Sequence, residues 1–210
     1  MISDYTDLSA LELDTLKEIG SIGTGNAATA LSAMIGQEIR ISTPEVRIMG
    51  YDEAIDWIGG PEEITAGVLV KLSGQISGIM LAVQPLSFAN LLLDSVLHRE
   101  IQDYSELQDL EKSTLVEVGN IMISTFINAL SSLANMSVEL TVPAFTVDMQ
   151  GAILAVPMAE LGGQSDYLMT IGGDFILQDK VVPCRLILSP DIRSLNILLR
   201  KLGDSGGSIH

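Results

Sequence analysis

The chain runs twice through one cycle of hydrophobic patterning. From about residue 11 to 35, and again from about 110 to 134, apolar residues recur within runs of strong helix formers, which predicts two long helices. Behind each lies a β-like run, EIRISTPEVRIMG in the first half and MSVELTVPAFTVDM in the second. Hairpin-like segments follow, AGVLVKLSGQISGIMLAVQ and then DYLMTIGGDFILQDKVVPCRLILS. Each cycle closes on an amphipathic helix, PLSFANLLLDSVL or PDIRSLNILLRKL, opened by Pro85 or Pro190.

The two cycles are copies. Shifted by 99 residues, LDTLKEIGSIGTGNAATALSAMI falls on KSTLVEVGNIMISTFINALSSLA. Thr15, Leu16, Glu18, Gly20 and Ile22 meet Thr114, Leu115, Glu117, Gly119 and Ile121, and Pro44 falls on Pro143 without a gap. Helices and strands in runs, without strict alternation, predict an α/β fold of the α+β type. The expected architecture is internally duplicated and pseudo-twofold, with one antiparallel sheet covered by two long helices. The chain reads as a single domain, 1–210, made of repeats at approximately 8–98 and 108–203. The polar stretch HREIQDYSELQDLEK at 98–112 carries one half into the other, and the tail GDSGGSIH reads as disordered.

Three glycines in EIGSIGTGN, at Gly20, Gly23 and Gly25, raise the question of a phosphate-binding loop. A dinucleotide fingerprint needs a strand before its first glycine and a helix opening after its last. Here helix formers precede Gly20, the spacing is not G-x-G-x-x-G, and no GK[ST] follows. The second copy, VGNIMIST, drops two of the three glycines. They are expected inside a helix, where each costs about 1 kcal/mol against alanine. Close approach of another backbone or of a partner protein accounts for tolerating that cost.

Asp14, Glu18 and Ser21 stand at i, i+4 and i+7, on one helical face, and Ser113, Glu117 and Asn120 repeat the arrangement. A solvated stripe is the commoner meaning of such a pattern. This stripe is narrow, its neighbours are almost all apolar, and a glutamate with an amide three residues on can engage a cation and a water together.

Charge and cysteine usage narrow the function classes. With 27 acidic residues against 11 basic ones the net charge is −16, which disfavours nucleic acid and anionic membrane surfaces as partners. The single cysteine, Cys184, allows no intrachain disulfide and no cysteine-cluster metal site, and its apolar surroundings suit a buried inert thiol. MISDYTDLSALE lacks the pattern of a signal peptide, and GIMLAV and ANLLLDSVL stop short of a membrane span. A soluble, cytoplasmic protein without membrane insertion is expected. Only two histidines are present, His98 and His210, and no nucleophile–base pair is evident.

These residues resemble the CheC family of chemotaxis phosphatases, related to CheX and to the flagellar-switch protein FliY. The family's motif is Asp or Ser, three residues, Glu, two residues, Asn, and a proline 23 positions after the Asn. The second copy satisfies every position with Ser113, Glu117, Asn120 and Pro143. The first copy presents Asp14, Glu18, Ser21 and Pro44, with serine in place of asparagine. The resemblance implies removal of phosphate from the response regulator CheY, with Asn120 positioning the water and Glu117 docking on the regulator. Glu18 and Ser21 would form a degenerate first site, and Asp14, Ser113, Pro44 and Pro143 would support the motif. No metal or cofactor of its own is implied; Mg²⁺ would come with the phosphorylated regulator. The alternative is an adaptor that binds the deamidase CheD, with the segment AFTVDMQGAI as a candidate contact. A flagellar-switch component ranks third, because neither a regulator-binding extension nor a switch domain is recognised in this sequence.

Overall fold

The computed structural model describes residues 1–161 and 165–206. The first half contains α1 (Ala10–Ile35), β1 (Ile39–Ile41), β2 (Glu45–Gly50), α2 (Tyr51–Ile58), β3 (Ile64–Gly74), β4 (Gly78–Gln84) and α3 (Leu86–Leu97). The second half repeats the order with α4 (Asp109–Leu133), β5 (Val138–Leu140), β6 (Ala144–Met149), α5 (Gln150–Leu161), β7 (Tyr167–Leu177), β8 (Lys180–Pro190) and α6 (Ile192–Gly206). A one-turn 3-10 helix precedes each long helix, at Tyr5–Asp7 and Tyr104–Glu106.

The eight strands of the described residues form one antiparallel sheet of order β1-β7-β8-β4-β3-β5, with β2 also beside β7 and β6 also beside β3. Equivalent strands β4 and β8 meet at the centre, with Leu81 opposite Ile187. Each half lends its short strands to the other: β1 and β2 pair with β7, while β5 and β6 pair with β3. The halves therefore share one hydrogen-bond ladder, as the duplicated pattern requires of an approximately twofold structure.

Strand alternation assigns the layers. In β3, Val68 meets α4 at Gly119, whereas the adjacent Gly67 meets Ile153 of α5. In β7, Ile171 faces Gly20 of α1, whereas Gly172 lies under the ring of Trp57 in α2. Hence α1 and α4 pack side by side on one face of the sheet, and α2 and α5 cover the other. The two long helices agree with the sequence reading; the second pair is additional. In α2 the inward positions Ala54, Ile55 and Ile58 follow directly on a strand. In α5, Gly151 and Pro157 obscure the helical signal.

The segment 98–112 is more than a polar connection. Ile101, Tyr104, Leu107 and Glu111 are buried in it, and it repeats the N-terminal residues Ile2, Tyr5, Leu8 and Glu12 at the same shift. The shared turns thus extend the repeat upstream of residues 8 and 108. Asn90 exchanges two hydrogen bonds with the backbone of Ile101, and Asn196 does the same with Ile2, all at 2.8 Å. At the other end α6 runs to Gly206, so 203–206 are helical where the sequence reading had a disordered tail. Leu198 and Leu202 anchor this helix in the core, and helical hydrogen bonding propagates beyond the last anchor. The rest of that tail lies outside the described residues. One described helix, α4, is long and apolar enough to cross a bilayer; 56% of its apolar window is buried inside the protein, as in a core helix.

Candidate functional site

Both long helices begin at defined caps. Ser9 and Glu12 close a reciprocal capping box on α1. On α4 the Glu111 carboxylate accepts from the Gln108 amide and from Arg99 of the connecting segment. The helices run unbroken through both motifs, and the glycines of EIGSIGTGN lie inside α1, not in a loop.

Two of those glycines serve close packing. A Cβ on Gly20 would stand 2.6 Å from Val46 Cγ2, and one on Gly23 would stand 2.5 Å from Cδ2 of Phe126 in α4. The approaching groups are side chains of the same chain, where the sequence reading had a backbone or a partner protein. Gly25 has nothing within 4 Å of its Cβ position.

The buried side of α4 carries Leu115, Val118, Met122, Ile123, Phe126 and Leu130, which turns Ser113, Glu117 and Asn120 outward. Ser113 and Glu117 are exposed and Asn120 is half-buried. On α1, Asp14, Glu18 and Ser21 are all exposed. Asp14 pairs with Lys17 at 2.8 Å. The side chains of Glu18, Ser21, Glu117 and Asn120 have no hydrogen-bond or ion-pair partner among the described residues, so their polar atoms are available to another molecule.

Pro44 and Pro143 do not join this exposed stripe. Each is half-buried and immediately precedes a strand, β2 or β6. Two residues beyond Pro44, Val46 packs against Gly20. Two residues beyond Pro143, Phe145 pairs with Val68, which packs against Gly119. The prolines thus start the strands on which the motif helices rest.

Cavities of 680 and 670 Å³ lie beside α6 and between α2 and α5, and neither is lined by Glu18, Ser21, Glu117 or Asn120. No group of three His, Cys, Asp or Glu residues suited to a metal occurs among the described residues. An open helix face bearing an acid and an amide suits docking against a macromolecule better than enclosure of a small substrate. Cys184 is buried, and that burial pushes its thiol well above the usual range.

Sequence reasoning passed over Gln84, which counted only as a polar break that stops GIMLAV short of a membrane span. Its side chain is wholly buried, and its Nε2 donates at 3.0 Å to the carbonyl of Leu115, two residues before Glu117. The signal available was an amide closing the run GIMLAVQ immediately before Pro85.

The duplicated sheet with paired helices on each face defines the domain type seen in chemotaxis phosphatases and flagellar-switch proteins. The crystal structure of Thermotoga maritima FliY superimposes with a TM-score of 0.74 at 18% identity, over 94% of this chain and 98% of that one. A chain of the CheX–CheY–BeF₃–Mg²⁺ complex from Borrelia burgdorferi gives a TM-score of 0.50 at 18% identity, over 80% of this chain and 96% of the other. These likenesses establish the fold.

The chain is similar to the CheC and FliY proteins in sequence as well as in fold. The CheC-like family pattern matches twice, at residues 11–48 and 110–147, each match running from a motif helix to the strand after its proline. The CheY-P phosphatase CheC of Bacillus subtilis (strain 168) is 24% identical over 208 residues, which is 97% of this chain and 100% of the relative.

Proposed function

We propose that this protein hydrolyses the aspartyl phosphate of a CheY-type response regulator, acting through Glu117 and Asn120 of α4. The observation that carries the reading is their placement: adjacent, one turn apart, on a solvent-facing helix surface and without partners among the described residues. The B. subtilis relative, named a CheY-P phosphatase, and the complex of a CheX with CheY support the choice of partner.

Phosphoryl transfer depends chiefly on positioning and electrostatics. The Asn120 carboxamide oxygen accepts a hydrogen bond from a water and holds it in line with the phosphorus. The water oxygen bonds to phosphorus as the P–O bond to the aspartyl carboxylate breaks. The carboxylate leaves without needing a proton, and the water's proton passes to phosphate or solvent. Mg²⁺ bound by the regulator would neutralise the phosphoryl oxygens. Glu117 pairs with a regulator lysine and sets the distance from Asn120 to the phosphoryl group. An amide keeps one charge state at all accessible pH values, so it needs no tuned pKa. Placement of this kind can supply several of the ~7–11 kcal/mol available from proximity.

On α1, Glu18 can dock in the same way, but the Ser21 hydroxyl ends about 1 Å short of an amide's reach, and ~1 Å of misplacement can cost about 100-fold. The first face therefore docks more than it hydrolyses. The cytoplasm, where such regulators act, is the compartment this reading assigns.

The test is decay of labelled regulator phosphate beside a direct binding measurement. Asn120→Ala should remove most hydrolysis and leave binding nearly intact, because the water contact matters in the transition state. Glu117→Ala should weaken both. Undiminished decay in the Asn120→Ala, Ser21→Ala double variant would sink the reading and leave the CheD-binding adaptor in its place.

A further inference from the structure

The two motif helices are not held alike. On α4, Gln84 reaches up from the end of β4 and donates to the Leu115 carbonyl at 3.0 Å. In regular helix geometry that carbonyl also receives the Gly119 amide. Gly119 itself lies against Val68, whose Cγ2 is 2.5 Å from where a Cβ would be. The sheet thus grips the helix at Leu115 and at Gly119, on either side of Glu117 and just before Asn120.

On α1 the glycine contact recurs, Gly20 against Val46, but among the described residues no side chain makes the equivalent hydrogen bond. The repeated tyrosines identify the equivalent position: Tyr104 donates to the carbonyl of Gln84, and Tyr5 donates at 2.6 Å to the carbonyl of Pro190. The helices that follow confirm the register, since Ala89 N donates to Pro85 O and Leu195 N donates to Asp191 O. Where the second motif has a glutamine beneath it, the first has a proline with no side-chain donor. The helix that carries Asn120 has the hydrogen-bonded anchor; the helix that carries Ser21 has only the glycine contact.

Gln84 is an expensive anchor. Its side chain is fully buried, and its Oε1 has no hydrogen-bond partner. An apolar side chain of similar size would fill the space without leaving an acceptor unsatisfied. The residue's placement is better explained by the helix it fixes than by stability.

We propose that Gln84 is a positioning residue for hydrolysis: by fixing the Leu115 carbonyl it sets the depth and rotation of α4, and so aligns Asn120 with the water. This rests on the phosphatase reading above. It acts through the helix backbone and does not touch the regulator.

The experiment is steady-state dephosphorylation of a phosphorylated CheY-type regulator by the full chain, with thermal unfolding of the same samples. Gln84→Met removes the donor and the stranded acceptor together. It should unfold at the same or a higher temperature, lower kcat by about 5–10-fold through misalignment, and leave KM within about twofold. Gln84→Glu adds a pH signature. A buried carboxyl kept protonated can still donate to Leu115, so its kcat should approach wild type at low pH and fall as pH rises, while the wild-type profile stays flat. Wild-type kcat in Gln84→Met overturns the proposal. So does a kcat loss that follows the unfolded fraction, or failure of both variants to fold, because the residue is then merely structural. Asn120→Ala run in parallel separates the two claims: if it is also fully active, the phosphatase site itself is misassigned.

Discussion

The ring of Phe126 in α4 occupies the space that a side chain on Gly23 of α1 would need, with its Cδ2 2.5 Å from the Cβ position. Phe126 is 1% exposed and cannot swing away. The two motif helices lie as close as they do because Gly23 is bare. Gly23→Ala should therefore destabilise the protein by about 1–3 kcal/mol, the usual range for an overfilled core. Gly25→Ala, two residues on and open to solvent, should stabilise it by about 0.5–1 kcal/mol by relieving the helix of a glycine. Urea unfolding of the two variants checks the pair; equal effects would remove the packing explanation.

Ser21→Asn should supply the missing amide on the α1 face. If both faces then hydrolyse independently, turnover per chain rises about twofold at most, as additive sites require. A rise short of that is expected, because Pro190 does not anchor α1 as Gln84 anchors α4. The measurement is the initial rate of regulator dephosphorylation at matched enzyme concentration; an unchanged rate shows that the amide alone does not make the face competent.

Acid should loosen the 3-10 turns that precede the motif helices and the cap of α4. Hydrogen bonds from Ser3 and Asp4 hold Asp7 below the usual carboxylate range, and those from Ser105 do the same for Asp103. Glu111 is lowered by its own backbone amide, with further help from Arg99 and the Gln108 amide against a burial effect that opposes them. Groups depressed on folding contribute stability that is fully present above their unfolded values, about 3.9 for Asp and 4.3 for Glu. That stability drains away as pH falls through the lower folded values. These three groups should leave the unfolding midpoint unchanged between pH 7 and pH 5 and reduce it below about pH 4. Arg99→Ala should flatten part of that decline.

Cys184 should resist thiol reagents in the folded protein. It is buried beside Leu186 and Val182 in β8, and burial raises its thiol far above neutral pH. Disulfide-exchange labelling should proceed only as fast as the chain unfolds; rapid stoichiometric labelling under native conditions would show the strand opening locally.

Much of this protein could be read from local order in the chain. Runs of strong helix formers located α1 and α4, and the shift of 99 residues tied Glu18 to Glu117 and Pro44 to Pro143, because a duplication copies side chains and spacing together. Helical periodicity put Asp14, Glu18 and Ser21 on one face, and Ser113, Glu117 and Asn120 on another, both of which face solvent. What pairs across long separations was not legible. That β2 joins β7 and β6 joins β3 depends on which distant ladder completes the most hydrogen bonds and buries both faces, a choice absent from any single window. Gly20, Gly23 and Gly25 look alike in the sequence; only the neighbours Val46 and Phe126 distinguish the first two from the third. Gln84 is only a polar break after GIMLAV in the sequence; the fold sets Leu115 above it, and a buried amide acquires its role from the carbonyl it meets.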